Sequence, residues 1–76
     1  PNIEEATVRT FSCFTSEGGS SVPALSFILA ENEVRARLLV LRQLLDNKQA
    51  MSVDVYEGGR LLWTEQATAH SAVGYS

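Results

Sequence analysis

Residues 32–65 read NEVRARLLVLRQLLDNKQAMSVDVYEGGRLLWTE, and this stretch decides the fold. Its first half is a helix. Asn32 is an N-cap residue, Glu31 and Glu33 favour the positive end of a helix dipole, and nearly every residue from Glu33 to Asp46 is a good helix former. Val34, Leu38, Leu41 and Leu45 recur at i, i+4, i+7 and i+11, which sets them on one stripe as the expected core side. Leu44 widens that stripe, Arg35, Arg42, Gln43 and Asp46 form the wet side, and Leu39 and Val40 fall outside both. Asn47 is expected to end the helix in a left-handed cap, with Lys48 suited to the negative end of the dipole.

The second half is a hairpin. Met51–Glu57 and Arg60–Glu65 alternate in the manner of strands, and Gly58-Gly59 between them accepts the positive φ that a type I′ turn demands. With a two-residue loop, Glu57 faces Arg60, Tyr56 faces Leu61, Val55 faces Leu62 and Asp54 faces Trp63. One face then carries Val53, Val55 and Leu62, and the other carries Tyr56, Leu61 and Trp63 with Asp54 among them.

Upstream, Ala6–Thr15 is rich in β-branched and aromatic residues and reads as a strand. Ser16–Ser21 is a loop by composition. Val22–Ala30 is a second strand, with Pro23 confined to its entry because proline cannot donate to a ladder. Leu25, Phe27 and Leu29 share one face of it and Ala24, Ser26, Ile28 and Ala30 the other, while Phe11 and Cys13 oppose Val8 and Phe14. The expectation is an α+β fold of order β-β-α-β-β: a four-stranded, mainly antiparallel sheet with one helix on one face. Residues 1–66 form the single domain, and 67–76, which lack a usable period, read as a mobile tail.

Composition bounds the partners. A hydrophobic share of 45% in 76 residues supports one small core, and a net charge of −3 with a pI of about 4.9 argues against electrostatic capture of nucleic acid or an anionic membrane. The lone Cys13 allows no internal disulfide, Pro1–Glu5 has neither the basic start nor the apolar run of a signal peptide, and Val22–Ala30 is too short to span a bilayer. A soluble, cytoplasmic protein is expected.

Candidate chemistry is sparse. Pro1 carries a secondary amine, the group that tautomerase-superfamily enzymes use as a base, but the likeness stops at that residue: here a second strand precedes the helix. Cys13 sits in mid-strand with no base beside it in sequence, and His70 lies in the tail. Asp54 and Glu57 are three apart on a strand and so point to opposite faces. Gly18-Gly19 has neither dinucleotide nor P-loop spacing. No catalytic, cofactor or metal site is expected. A regulatory or nucleic-acid-binding alternative rests on the basic helix residues Arg35, Arg42 and Lys48, and a second alternative is a tautomerase-like enzyme working through Pro1.

The run MSVDVYEGGRLLWTE (51–65), preceded by the helix and the strand LSFILA (25–30), resembles small uncharacterised bacterial proteins. These carry an E/D-V-aromatic-E/D-G-x-R-L hairpin after their helix, and the likeness rests here on Val53, Asp54, Val55, Tyr56, Gly59, Arg60 and Leu61. The resemblance implies the strand–helix–hairpin core and carries no activity. A single helix covers only one side of such a sheet, and both sides are apolar. The expected function is therefore a protein-interaction module acting as a homodimer or with another protein, its contact the bare sheet face, with Tyr56, Leu61 and Trp63 at the interface and Leu39 at its rim.

Overall fold

A computed structural model describes residues 7–67. The N-terminal strand β1 (Arg9–Glu17) turns through Gly18–Pro23 into β2 (Ala24–Ala30), the helix α1 (Glu33–Asp46) follows, and β3 (Ala50–Glu57) and β4 (Arg60–Gln66) close the chain as a hairpin. The strands form one antiparallel sheet in the order β2-β1-β3-β4, so β1 and β3 are central and β2 and β4 are the edges. The β-β-α-β-β layout is as expected from the pattern. The first strand starts and ends later than its composition suggested, and the loop after it begins at Gly18. Residues 1–6 and 68–76, with Pro1 and His70, lie outside the described residues. Ala67, assigned to the tail, is instead tied down: its N–H donates to the Met51 carbonyl at 2.9 Å and its side chain packs against the core.

The helix starts where its cap dictates. Asn32 is extended, and its side-chain oxygen accepts from the Arg35 N–H at 2.8 Å, satisfying a donor that the first turn leaves unpaired. Asn47 ends the helix at φ −116°, so the left-handed cap expected there is absent. Its N–H reaches the Gln43 carbonyl at 3.0 Å, and its side chain accepts from the Gln49 N–H and donates to Glu17. That side-chain clamp turns the chain into β3 without a residue at positive φ. Positive φ is used in the hairpin instead, at Gly58 (61°) and Gly59 (80°), as the type I′ reading required.

Two expectations about facing are overturned. The helix lays Ala36, Val40 and Leu44 on the sheet, while Val34, Leu38, Leu41 and Leu45 are exposed. Apolar residues occupy more than half of the helix circumference, so periodicity permits either arc. Only two residues, Glu31 and Asn32, join β2 to the helix, and this short link together with the cap sets the helix's rotation. The buried arc is also the slimmer one: Ala36 and Val40, both fully buried, let the helix axis come close to a sheet already filled by Phe11, Ile28, Val53 and Val55.

The second correction concerns β4. Glu57 pairs with Arg60 and Tyr56 with Leu61 as expected, but the register then slips, so that Val55 faces Trp63 and Asp54 faces Thr64. Leu62 is the extra residue of a β-bulge. The slip carries Trp63 to the helix side, where its ring centroid lies 6.5 Å from that of Phe11 and the Arg37 guanidinium sits 4.3 Å over it. Leu39 likewise packs against the core from the helix.

Cys13 is fully buried in the centre of this core. Burial pushes its thiol pKa up, and a hydrogen bond with Ser26 only partly offsets that. The native protein is therefore expected to resist a disulfide reagent such as DTNB at mildly alkaline pH, with a reaction rate that follows unfolding in a urea series. Rapid native-state labelling would place the thiol at the surface.

Candidate functional site

The sheet has one covered and one bare side. Facing the helix are Phe11, Cys13 and Thr15 of β1, Ile28 and Ala30 of β2, Val53 and Val55 of β3, and Trp63 of β4. Alternation puts the intervening residues on the bare side. There the registers Ser12↔Phe27, Ser12↔Tyr56 and Tyr56↔Leu61 make one row across all the strands, and Leu25↔Phe14↔Asp54↔Thr64 makes the next.

This face has an apolar half and a polar half. Leu25, Phe27, Leu29 and Leu61 are 54%, 62%, 64% and 50% exposed. Phe14 and Tyr56 fill the middle as an edge-to-face pair with ring centroids 5.4 Å apart, a geometry favoured by ring quadrupoles. Toward the other end lie Asp54, which accepts from the Thr64 hydroxyl at 2.8 Å, then Ser16, Ser52 and Gln66. A dry centre with a polar margin is the usual composition of a protein interface. Of the residues expected at the contact, Tyr56 and Leu61 lie on this face. Trp63 and Leu39 do not, because the bulge and the helix rotation place them on the covered side. The residues that dominate the face, Leu25, Phe27 and Leu29, were legible from their alternation in β2.

The edges differ in the same sense. β4 is broken by its bulge and carries Arg60 and Glu65, devices that discourage strand addition. β2 (ALSFILA) has no charged residue along its length. Apolar exposure is thus concentrated on the β2 side of the bare face.

Charge is used structurally. Arg9 and Glu57 form a two-pronged pair on the helix side, Nε to Oε2 at 2.8 Å and Nη2 to Oε1 at 2.6 Å, just beyond the last β1–β3 register pair. The hydrogen bonds with Arg9 hold the Glu57 carboxyl below its ordinary range, with its desolvation opposing them and Arg60 adding a smaller pull. The pair's stabilising contribution is complete above the ordinary carboxylate pKa and fades as pH falls through the lowered value. In Arg9→Ala, the Glu57 pKa read by NMR titration is expected to rise; an unchanged value would mean that the pair does not persist in solution.

Arg35 and Arg42, seven residues apart, share one side of the helix, and Lys48 is set apart from them. Arg35 and Arg42 are exposed along the helix and Lys48 lies beyond its end. A hollow at the helix C-terminal end is lined by Thr15, Glu17, Ser26, Gln43, Asp46 and Asn47, and within it the Asn47 Nδ2 donates to Glu17 Oε2 at 2.9 Å. Among the described residues no three of His, Cys, Asp and Glu come together as a ligand set, and no helix is long and apolar enough to cross a membrane. Comparison of the chain with protein-family models, with curated proteins and with solved structures finds no match.

Proposed function

We propose that this chain is a protein-interaction module that acts as a homodimer, with the bare sheet face as the contact. The observation that carries the reading is the cluster of Leu25, Phe27, Leu29, Phe14, Tyr56 and Leu61 on a face that no element of the described chain covers. Four strands at about 4.8 Å spacing and seven residues at about 3.3 Å rise make a face of roughly 450 Å² in projection. Two such faces, with side-chain relief added, bury on the order of 1,000 Å² in total, which is the lower bound for a specific interface. A two-fold axis lying in the plane between the two faces sets the same apolar half against itself, with the polar end at the rim. Strands of the two sheets cross at the shallow angle that sheet twist imposes, and the helices lie outside.

Sedimentation equilibrium at micromolar concentration tests the reading. A two-chain species is expected, dissociating on dilution. A strict monomer across that range would overturn the homodimer.

A further inference from the structure

The helix carries a second uncovered apolar surface, on the opposite side of the domain from the bare sheet face. Val34, Leu38, Leu41 and Leu45 are 71%, 55%, 41% and 70% exposed. They are surplus to the fold, because Ala36, Val40 and Leu44 already make the helix–sheet contact. Their spacing of four, three and four residues is that of a heptad seam, the pattern by which one helix packs lengthwise on another, and it runs along about 17 Å of helix axis.

The flanks of this seam are basic. At 100° per residue, Arg35 and Arg42 border it on one side and Arg37 on the other. Arg37 is held at that border by the Trp63 ring beneath it and by Glu33, 3.7 Å away. Arg35 and Arg42 have no ion-pair partner among the described residues. These arginines occupy the positions that choose partners in helix pairs. A second copy of the same helix is a poor occupant, since parallel or antiparallel pairing sets arginine against arginine. A nucleic-acid backbone matches the charge and leaves the four apolar side chains unexplained.

We propose that this stripe docks an amphipathic helix of a partner protein, apolar at its heptad a and d positions and acidic at the flanking e and g positions. Docking of this kind is independent of the sheet-face contact, and a sheet-face dimer displays one such stripe on each outer side.

The probe is a fluorescein-labelled peptide of three heptads with Leu at a and d and Glu at e and g, titrated with the full chain and read by anisotropy. Saturable binding is expected, weakening about tenfold between roughly 0.05 and 0.5 M salt. A peptide with the same leucines and Lys at e and g is expected to bind at least about tenfold more weakly. The double variant Arg35→Glu/Arg42→Glu, which changes exposed side chains only, should reverse that preference, and Leu41→Asp should abolish binding of both peptides. The same titration on Phe27→Asp keeps its outcome, so a failure of the sheet-face dimer is distinguishable from a failure of this site. The proposal is overturned by no saturable binding of the Glu peptide, by equal binding of the two peptides, by an unreversed preference in the double variant, or by a random-sequence DNA duplex that displaces the Glu peptide below the concentration at which the peptide itself binds.

Discussion

Phe27→Asp and Leu61→Asp are each expected to convert the proposed two-chain species into monomer at micromolar concentration, while Leu38→Asp is expected to leave it intact. Phe27 and Leu61 stand at opposite ends of one row on the bare face, on β2 and β4, separated by Ser12 and Tyr56. A carboxylate placed in the dry centre of the contact loses its hydration without gaining a partner, and the symmetry of the dimer introduces two of them. At about 1.4 kcal/mol per tenfold, even a few kcal/mol of that penalty raises the dissociation constant a hundredfold or more. Because both side chains are half exposed or more in the single chain, the monomer is expected to keep its fold, which circular dichroism of the variants checks. The pair also separates two geometries. Strand addition at the uncharged β2 edge would be sensitive to Phe27 and indifferent to Leu61, so dissociation by Phe27→Asp alone would move the contact from the face to the edge. Trp63→Ala, which alternation would have made the test of the interface, is now expected to act on folding, since Trp63 packs against Phe11 and beneath Arg37.

Leu44→Ala is expected to destabilise the fold by about 2–5 kcal/mol, whereas Leu45→Ala is expected to change stability by no more than about 0.5 kcal/mol. The two residues are neighbours in sequence with opposite fates: Leu44 is 8% exposed and packed into the core, Leu45 is 70% exposed. Removing three carbons from Leu44 depletes the buried cluster it shares with Val53 and Ala50 between helix and sheet. A chain this short has about 0.05–0.15 kcal/mol of stability per residue, so the Leu44 variant loses a large share of the total. Alanine at position 45 gives up only surface area in water, and its helix propensity offsets part of that. Urea unfolding followed at Trp63 measures both, with the midpoint shift read at constant slope. Equal losses, or a larger loss at Leu45, would mean that the helix rests on its Val34–Leu45 stripe after all.

The elements were legible in the chain because each is encoded locally. The Glu33–Asp46 helix follows from propensity and the Asn32 cap, and the hairpin follows from Gly58-Gly59, where two consecutive positive φ values suit glycine and few other residues. The two-sidedness of the sheet was equally legible, since the alternation in ALSFILA already shows large apolar groups on one face of β2 and smaller ones on the other. What tertiary structure alone decided was which surfaces meet. The helix has two apolar arcs, and its periodicity does not rank them; the two-residue link from β2 and the close approach allowed by Ala36 and Val40 settled the matter. A bulge at Leu62 is a one-residue slip with no local signature in RLLWTE, yet with a side-chain period of two it moved Trp63 from the bare face to the covered one. Local sequence encodes dihedral preferences and periodicity, whereas rotation and register are set by contacts between distant segments, Trp63 with Phe11 and Val40 with the sheet, and those contacts exist only once the chain has folded.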